Sequence, residues 1–205
     1  MNALSGTKEL IFDAFVEMTS ALGYENVAMR DIADKVGIQV ASIYNHFESK
    51  QKLLEFTYDY YTEHRFNNRK PVEEMKKIIE TCGAEVICRS FLFTFETDVP
   101  KRYMRMVLIT KIIYMRMFQD PIANRLFLDQ FTNNAAYMLE VLKHGVEIGR
   151  IHPGFDIVTF ADIFIGAISN MGIRSFASAD YVVGQLEQEK LILAIHAKLL
   201  STALM

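Results

Sequence analysis

MRDIADKVGIQVASIYNHFESKQK, residues 29–52, reads as two short helices joined by a tight turn, with a third helix starting just after. Arg30, Ile32, Ala33 and Val36 make an amphipathic turn and a half, and Gly37 can take the positive φ that ends a helix. Val40, Ile43 and Phe47 then recur at i, i+3 and i+7, so one face of the next helix points inward. The other face carries Ala41, Ser42, Tyr44, Asn45 and His46, with no acidic side chain before Glu48. A short helix presenting small, polar and aromatic groups after a glycine turn is what a DNA major groove admits.

Extended to residues 23–54, GYENVAMRDIADKVGIQVASIYNHFESKQKLL, the stretch resembles the DNA-binding segment of TetR-like transcriptional regulators. The match rests on Gly23-Tyr24, Ile32-Ala33, Val36-Gly37, the Ile43-Tyr44-x-His46-Phe47 run, and Ser49-Lys50 before Leu53-Leu54. The resemblance implies an all-α fold. It places an N-terminal three-helix helix-turn-helix domain over residues 1–52 and a larger helical effector-binding and dimerisation domain over 53–205. It also implies that Tyr44 and Lys50 contact phosphates, that Val40, Ala41 and Ser42 face bases, and that Asn45 and His46 touch the DNA. Ala41 or Ser42 would meet a thymine methyl, and Asn45 would read adenine. Lys50 gains from standing at a helix N-terminus, which favours anions. Arg30 is a further phosphate or base candidate. From the residues themselves, Val40 and Tyr44 stay open between DNA contact and core, because Val40 shares a face with Ile43 and Phe47.

Two positions depart from the family pattern. Ala28 stands where Ser or Thr usually caps the first of the paired helices, and Gln39 replaces the hydroxyl residue before the second. Loss of a cap side chain costs about 1 kcal/mol, while Asp31 in the first turn still complements the helix dipole.

The chain has 205 residues, is 51% hydrophobic, and has four prolines and a net charge of −3. This composition supports a folded chain with a sizeable core rather than a disordered one. Residues 28–52 hold Arg30, Lys35, Lys50 and Lys52 against Asp31, Asp34 and Glu48, four cations less three carboxylates, a net of +1. Phosphate neutralisation normally supplies much of DNA affinity, so hydroxyl, amide and backbone donors must add to these few cations.

Further along, Thr7 is expected to cap a first helix over 7–22. Its stripe is Leu10, Ile11, Ala14, Phe15, Met18 and Leu22, with Asp13 and Glu17 outside. Ser49 caps a helix over 50–65 with Leu54, Tyr58 and Tyr61 on its buried face and Phe56 and Tyr60 at the sides. Further helices are expected over 72–82, 85–95, 100–118 (apolar on most sides and therefore central), 121–149 after the Asp120-Pro121 start signal, 157–176 after Asp156, and 185–200.

The long helices of residues 121–149 and 157–176 are those that pair across a two-fold axis in TetR-like regulators, and the resemblance therefore implies a homodimer. Its expected seam is Leu142, Val146, Phe160, Phe164, Gly166, Ala167 and Met171. The resemblance also implies a pocket for a small effector, for which Tyr58, Tyr61, Met104, Leu108, Met115, Phe118, Phe127, Tyr137 and Met138 are the candidates. Flexible methionines suit adaptable apolar pockets, although such stripes are more often plain core. Arg102, Arg105 and Arg116 offer pairing to an anionic ligand, with solvated positions as the alternative.

Cys82 and Cys88 are six apart, which suits neither a CxxC pair nor zinc, so they are read as small buried hydrophobes. The scattered His64, His144, His152 and His196 suggest no metal site. Asp162 reads as an acid near the dimer seam or a buried functional group. No nucleotide-binding or hydrolase signature is present, so no enzyme and no cofactor are expected. The apolar run 157–173 is too short to span a bilayer comfortably, and with two cysteines the expectation is a cytoplasmic protein. The expected partners are operator DNA as a duplex, a small effector and a second copy of the chain, the effector releasing a repressor from its palindromic operator. The alternative is a helix-turn-helix protein whose helical domain binds a partner protein and takes no small molecule.

Overall fold

Apolar spacing of three and four residues becomes helix throughout. A computed structural model of the chain describes residues 6–65, 69–82 and 101–177, and among these there is no strand. The elements are α1 (Gly6–Leu22), a 3-10 turn (Tyr24–Asn26), α2 (Met29–Val36), α3 (Val40–Tyr44), α4 (Lys50–His64), α5 (Val72–Cys82), α6 (Lys101–Arg116), α7 (Pro121–Glu147) and α8 (Ile157–Ala177). The expected helices at 85–95 and 185–200, Cys88, His196 and Pro100, the expected first residue of the 100–118 helix, lie outside the described residues.

The described residues fall into two compact units. One lies within Met1–Asn67 and Asp98–Leu128, the other within Asn68–Thr97 and Asp129–Met205. In the first, α1 packs on α2, α4 and α6, and α2 packs on α3. Its core holds Ile11, Phe12 and Phe15 of α1, Ile32 and Ala33 of α2, Ile43 of α3, Leu53, Leu54, Tyr58, Tyr60 and Tyr61 of α4, and Ile109, Ile112 and Ile113 of α6. By packing, α4 and α6, which lie beyond the boundary expected after Lys52, share a core with the helix-turn-helix. The second unit closes Met75 and Ile79 of α5 and Met138, Val141 and Leu142 of α7 around Ile151, Phe160, Phe164 and Ile165.

Capping chemistry sets several boundaries. Ser49 Oγ accepts from Lys52 N at 3.1 Å, Asp120 Oδ1 accepts from Ile122 N at 2.9 Å, and Asp156 Oδ1 accepts from Thr159 N at 3.0 Å. At α2, Asp31 Oδ2 accepts from Ala28 N at 2.8 Å, so the carboxylate half of a capping box survives although Ala28 has no cap side chain. Gly37 has φ +75°, and Ile38 N donates to Ala33 O at 3.0 Å, a Schellman closure. A Cβ at Gly37 would meet nothing within 4 Å, so the only cost of Gly37→Ala is conformational. We expect Gly37→Ala to destabilise the fold by about 1–2 kcal/mol in chemical denaturation, and an unchanged midpoint would contradict the left-handed turn.

Several expectations are corrected. Thr7 lies inside α1, which starts at Gly6, and Leu10 and Leu22 are exposed, because the buried face of α1 joins Phe12, Val16 and Thr19 to the expected Ile11, Ala14 and Phe15. Asp13 is partly buried and ion-paired, not left outside, and Tyr60 is core. Helix α6 is buried on one side only, with Met104 and Met115 in solvent. Cys82 is exposed rather than buried, and Asp162 is exposed, which removes the reading of a buried acid.

Candidate DNA-binding interface

Helix α3 is held by one buried residue, Ile43, with Phe47 buried just beyond its end and Val40 half-buried against the same core. The N–H groups of His46 and Phe47 both bond to Ile43 O, at 2.8 and 2.9 Å, which carries the helical path past Tyr44. With the inner face fixed in this way, Ala41, Tyr44, Asn45 and His46 are exposed and Ser42 is half-exposed. Tyr44 keeps 51% of its surface in solvent, a large aromatic left uncovered beside polar groups. Arg30 is exposed on α2. Ala41, Ser42, Tyr44, Asn45 and His46 of the expected set are therefore at the surface of one segment, whereas Val40 packs as a support and Lys50 does not join them.

The Lys50 ammonium is turned inward. It donates to Tyr24 O and to Val27 O, both at 2.9 Å, and lies 4.2 Å from the centre of the Tyr24 ring. An ammonium has three donors, so two are already committed to the segment that leads into α2. The Arg116 guanidinium lies 4.3 Å from the centre of the same ring, and Arg116 Nη1 donates to Glu25 Oε1 at 3.2 Å. Arg116 and Tyr58 also converge on Asp120, with Tyr58 Oη donating to Asp120 Oδ2 at 2.8 Å. Burial and this carboxylate push the Tyr58 phenol far above its ordinary range. Lys50 is thus a clamp on the entry to α2. We expect Lys50→Met to weaken DNA binding while leaving the dependence on salt unchanged, whereas loss of a direct phosphate contact would flatten that slope by about 1.

Within residues 28–52 two further cations are also spoken for. Lys35 pairs with Glu17 at 2.8 Å and Lys52 with Glu55 at 2.7 Å. Among the described residues Arg30 and Lys50 are the cations of this segment with no carboxylate partner, and only Lys50 is held by backbone carbonyls. Gln39, absent from the expected set, is exposed at the N-cap of α3 and its side chain makes no cap bond. Its signal in the sequence was the departure from a hydroxyl residue at that position.

The effector candidates divide between the two units. Tyr58 and Tyr61 are core residues of the first unit, Leu108 and Phe127 pack partly against that core, and Met104, Met115 and Phe118 face solvent, Phe118 with 85% exposure. Tyr137 and Met138 belong to the second core. Of the three arginines offered to an anionic ligand, two find carboxylates of the chain itself: Arg105 bonds Glu9 and Asp13, and Arg116 bonds Glu25 and Asp120, while Arg102 is exposed. Of the seam candidates, Leu142, Phe160 and Phe164 are buried in the second unit's own core. Val146 and Ala167 are half-buried and Gly166 is exposed, while the side chain of Met171 lies outside the described residues. The exposed row on α8 is Asp162, Ile163, Gly166, Asn170 and Ile173. No described helix is long and apolar enough to cross a membrane.

The family model "Bacterial regulatory proteins, tetR family" matches residues 11–56, the stretch from α1 to the middle of α4. A biofilm operon HTH-type negative transcriptional regulator of Staphylococcus aureus (strain Newman), IcaR, is 32% identical over 103 residues, 48% of this chain and 50% of that protein. The chain spans about half the length of the curated relatives it matches. A TetR transcription regulator from Haloarcula marismortui superposes with a TM-score of 0.62 at 14% identity, covering 94% of this chain and 96% of that one. The SmeT–triclosan complex gives a TM-score of 0.62 at 14% identity, covering 92% and 88%. The fold of the chain is that of these regulators: an N-terminal helix-turn-helix followed by further helices.

Proposed function

With a TetR-like helix-turn-helix segment and a TetR-like all-α fold as premise, we propose that the chain is a cytoplasmic transcriptional repressor acting as a homodimer on a palindromic operator. Each copy lays α3 in a major groove, and the two half-sites lie about 34 Å apart. The observation that carries this reading is the uncovered face of α3 and the turn after it, Ala41, Tyr44, Asn45 and His46, on a segment matching the family model. Tyr44 and Arg30 supply the phosphate contacts. The negative regulator IcaR supports repression rather than activation.

Release by a small, mostly apolar effector completes the reading, with support from the ligand held by SmeT. Such a molecule must bind the DNA-free state better, and a 100-fold preference corresponds to about 2.7 kcal/mol of coupling. By reciprocity, operator DNA must weaken its binding by the same factor. The test is calorimetry of any compound that releases a fluorescent operator duplex, with and without the duplex present. Equal affinities would remove the effector role. A second reading, a protein partner in place of an effector, draws on the solvent-facing Met104, Met115 and Phe118 of the expected pocket.

A further inference from the structure

The exposed residues of α3 carry a chemistry that restricts which base pairs they can read. Residues 38–47, IQVASIYNHF, include no arginine, lysine, aspartate or glutamate. Guanine is most often read by a bidentate Arg or Lys on O6 and N7, and cytosine by a carboxylate accepting from N4. Neither type of group stands on this helix. Lys50, the nearest cation after it, has two of its donors on Tyr24 O and Val27 O. What α3 does present is two carboxamides, Gln39 at its N-cap and Asn45 at its C-cap, both exposed and the first free of any capping bond. Between them are the exposed methyl of Ala41 and the half-exposed hydroxyl of Ser42. A carboxamide pairs bidentately with adenine N6 and N7, and a small methyl packs on the thymine methyl. The His46 ring offers one nitrogen per edge and makes no bidentate contact. Exposed Glu48, one residue beyond this run, is the nearest acid.

We infer that the half-site read by α3 is A·T at its base-contacted positions, with Gln39 and Asn45 as the specificity-determining side chains. The inference rests on the DNA-binding reading above and names the class of duplex that this surface takes.

The experiment is selection by the full chain from a pool of randomised duplexes, followed by fluorescence anisotropy on the enriched sequence and on single base-pair replacements within it. Enriched half-sites should carry A·T pairs where replacement by G·C weakens binding, by about tenfold or more at a bidentate position. Asn45→Ala and Gln39→Ala should each abolish that discrimination at one position. Arg30→Ala should weaken all duplexes alike. Half-sites built on G·C, or a guanine whose preference is lost in Arg30→Ala, would overturn the inference and leave the DNA-binding reading standing. No enrichment over the starting pool would overturn both.

Discussion

Replacing Arg105 with methionine is expected to destabilise the chain by about 3 kcal/mol or more, while filling the space of the side-chain stem. Arg105 stands on α6 with only 8% of its surface in solvent. Its Nε donates to Asp13 Oδ1 at 2.6 Å, its Nη2 to Glu9 Oε1 at 2.5 Å, and its Nη1 to Tyr60 Oη at 3.1 Å. Lys101 adds a second cation to Asp13 at 2.6 Å. Removing the guanidinium leaves a half-buried carboxylate with one exposed partner, and breaking a pair from one side strands the other charge. A drop of this size in a chain of about 200 residues lowers Tm by roughly 6–12 °C. Thermal unfolding followed by circular dichroism reads it, and a shift under 2 °C would mean that the cluster does not hold α1 against α6.

The same cluster gives a pH dependence. Burial raises the Asp13 carboxyl, but hydrogen bonds and charge from Arg105 and Lys101 outweigh it and hold the group below its ordinary value. A depressed folded-state pKa contributes stability that is fully present above the unfolded value and is lost as pH falls through the folded one. The contribution is therefore lost below about pH 4, and Arg105→Met should show a shallower acid limb than the native chain.

Ala41→Glu is expected to abolish DNA binding, by 100-fold or more, without loss of stability. Ala41 is exposed at the second position of α3, so a longer side chain meets no core. A carboxylate in the first turn suits the helix dipole, and the fold should be unchanged or slightly firmer. Facing phosphates and base edges, the same charge meets like charge, which costs several kcal/mol. Ala41→Ser serves as the control and should bind within a few-fold of the native chain. Equal binding by Ala41→Glu, with native unfolding behaviour, would place the DNA elsewhere.

The parts legible in the sequence are those determined by near neighbours. Gly37, Ser49, Asp120 and Asp156 mark their helix ends through bonds to residues two to five positions away, so local pattern suffices. The outward face of α3 was legible because Ile43 and Phe47 fix the inward one. Lys50 was misread because a lysine at a helix N-terminus suggests an anion outside, whereas its partners are carbonyls 23 and 26 residues earlier in the chain. Arg105 was misread, as a ligand-pairing or solvated side chain, for the same reason: its carboxylates lie 92 and 96 residues away. Leu142, Phe160 and Phe164 show a different limit. On a helix apolar around much of its circumference, spacing does not say which side meets the chain's own core and which is left for a partner.

The central claim is that the face of α3 and the turn after it meets the DNA. Hydrogen exchange of the full chain, measured with and without a duplex enriched by selection, tests it without altering a residue. The account predicts protection gained over residues 37–50, which contain the Gly37 turn, α3 and the Ser49 cap, with the α5 amides unchanged. Protection gained elsewhere, with residues 37–50 exchanging as in the free chain, would contradict it.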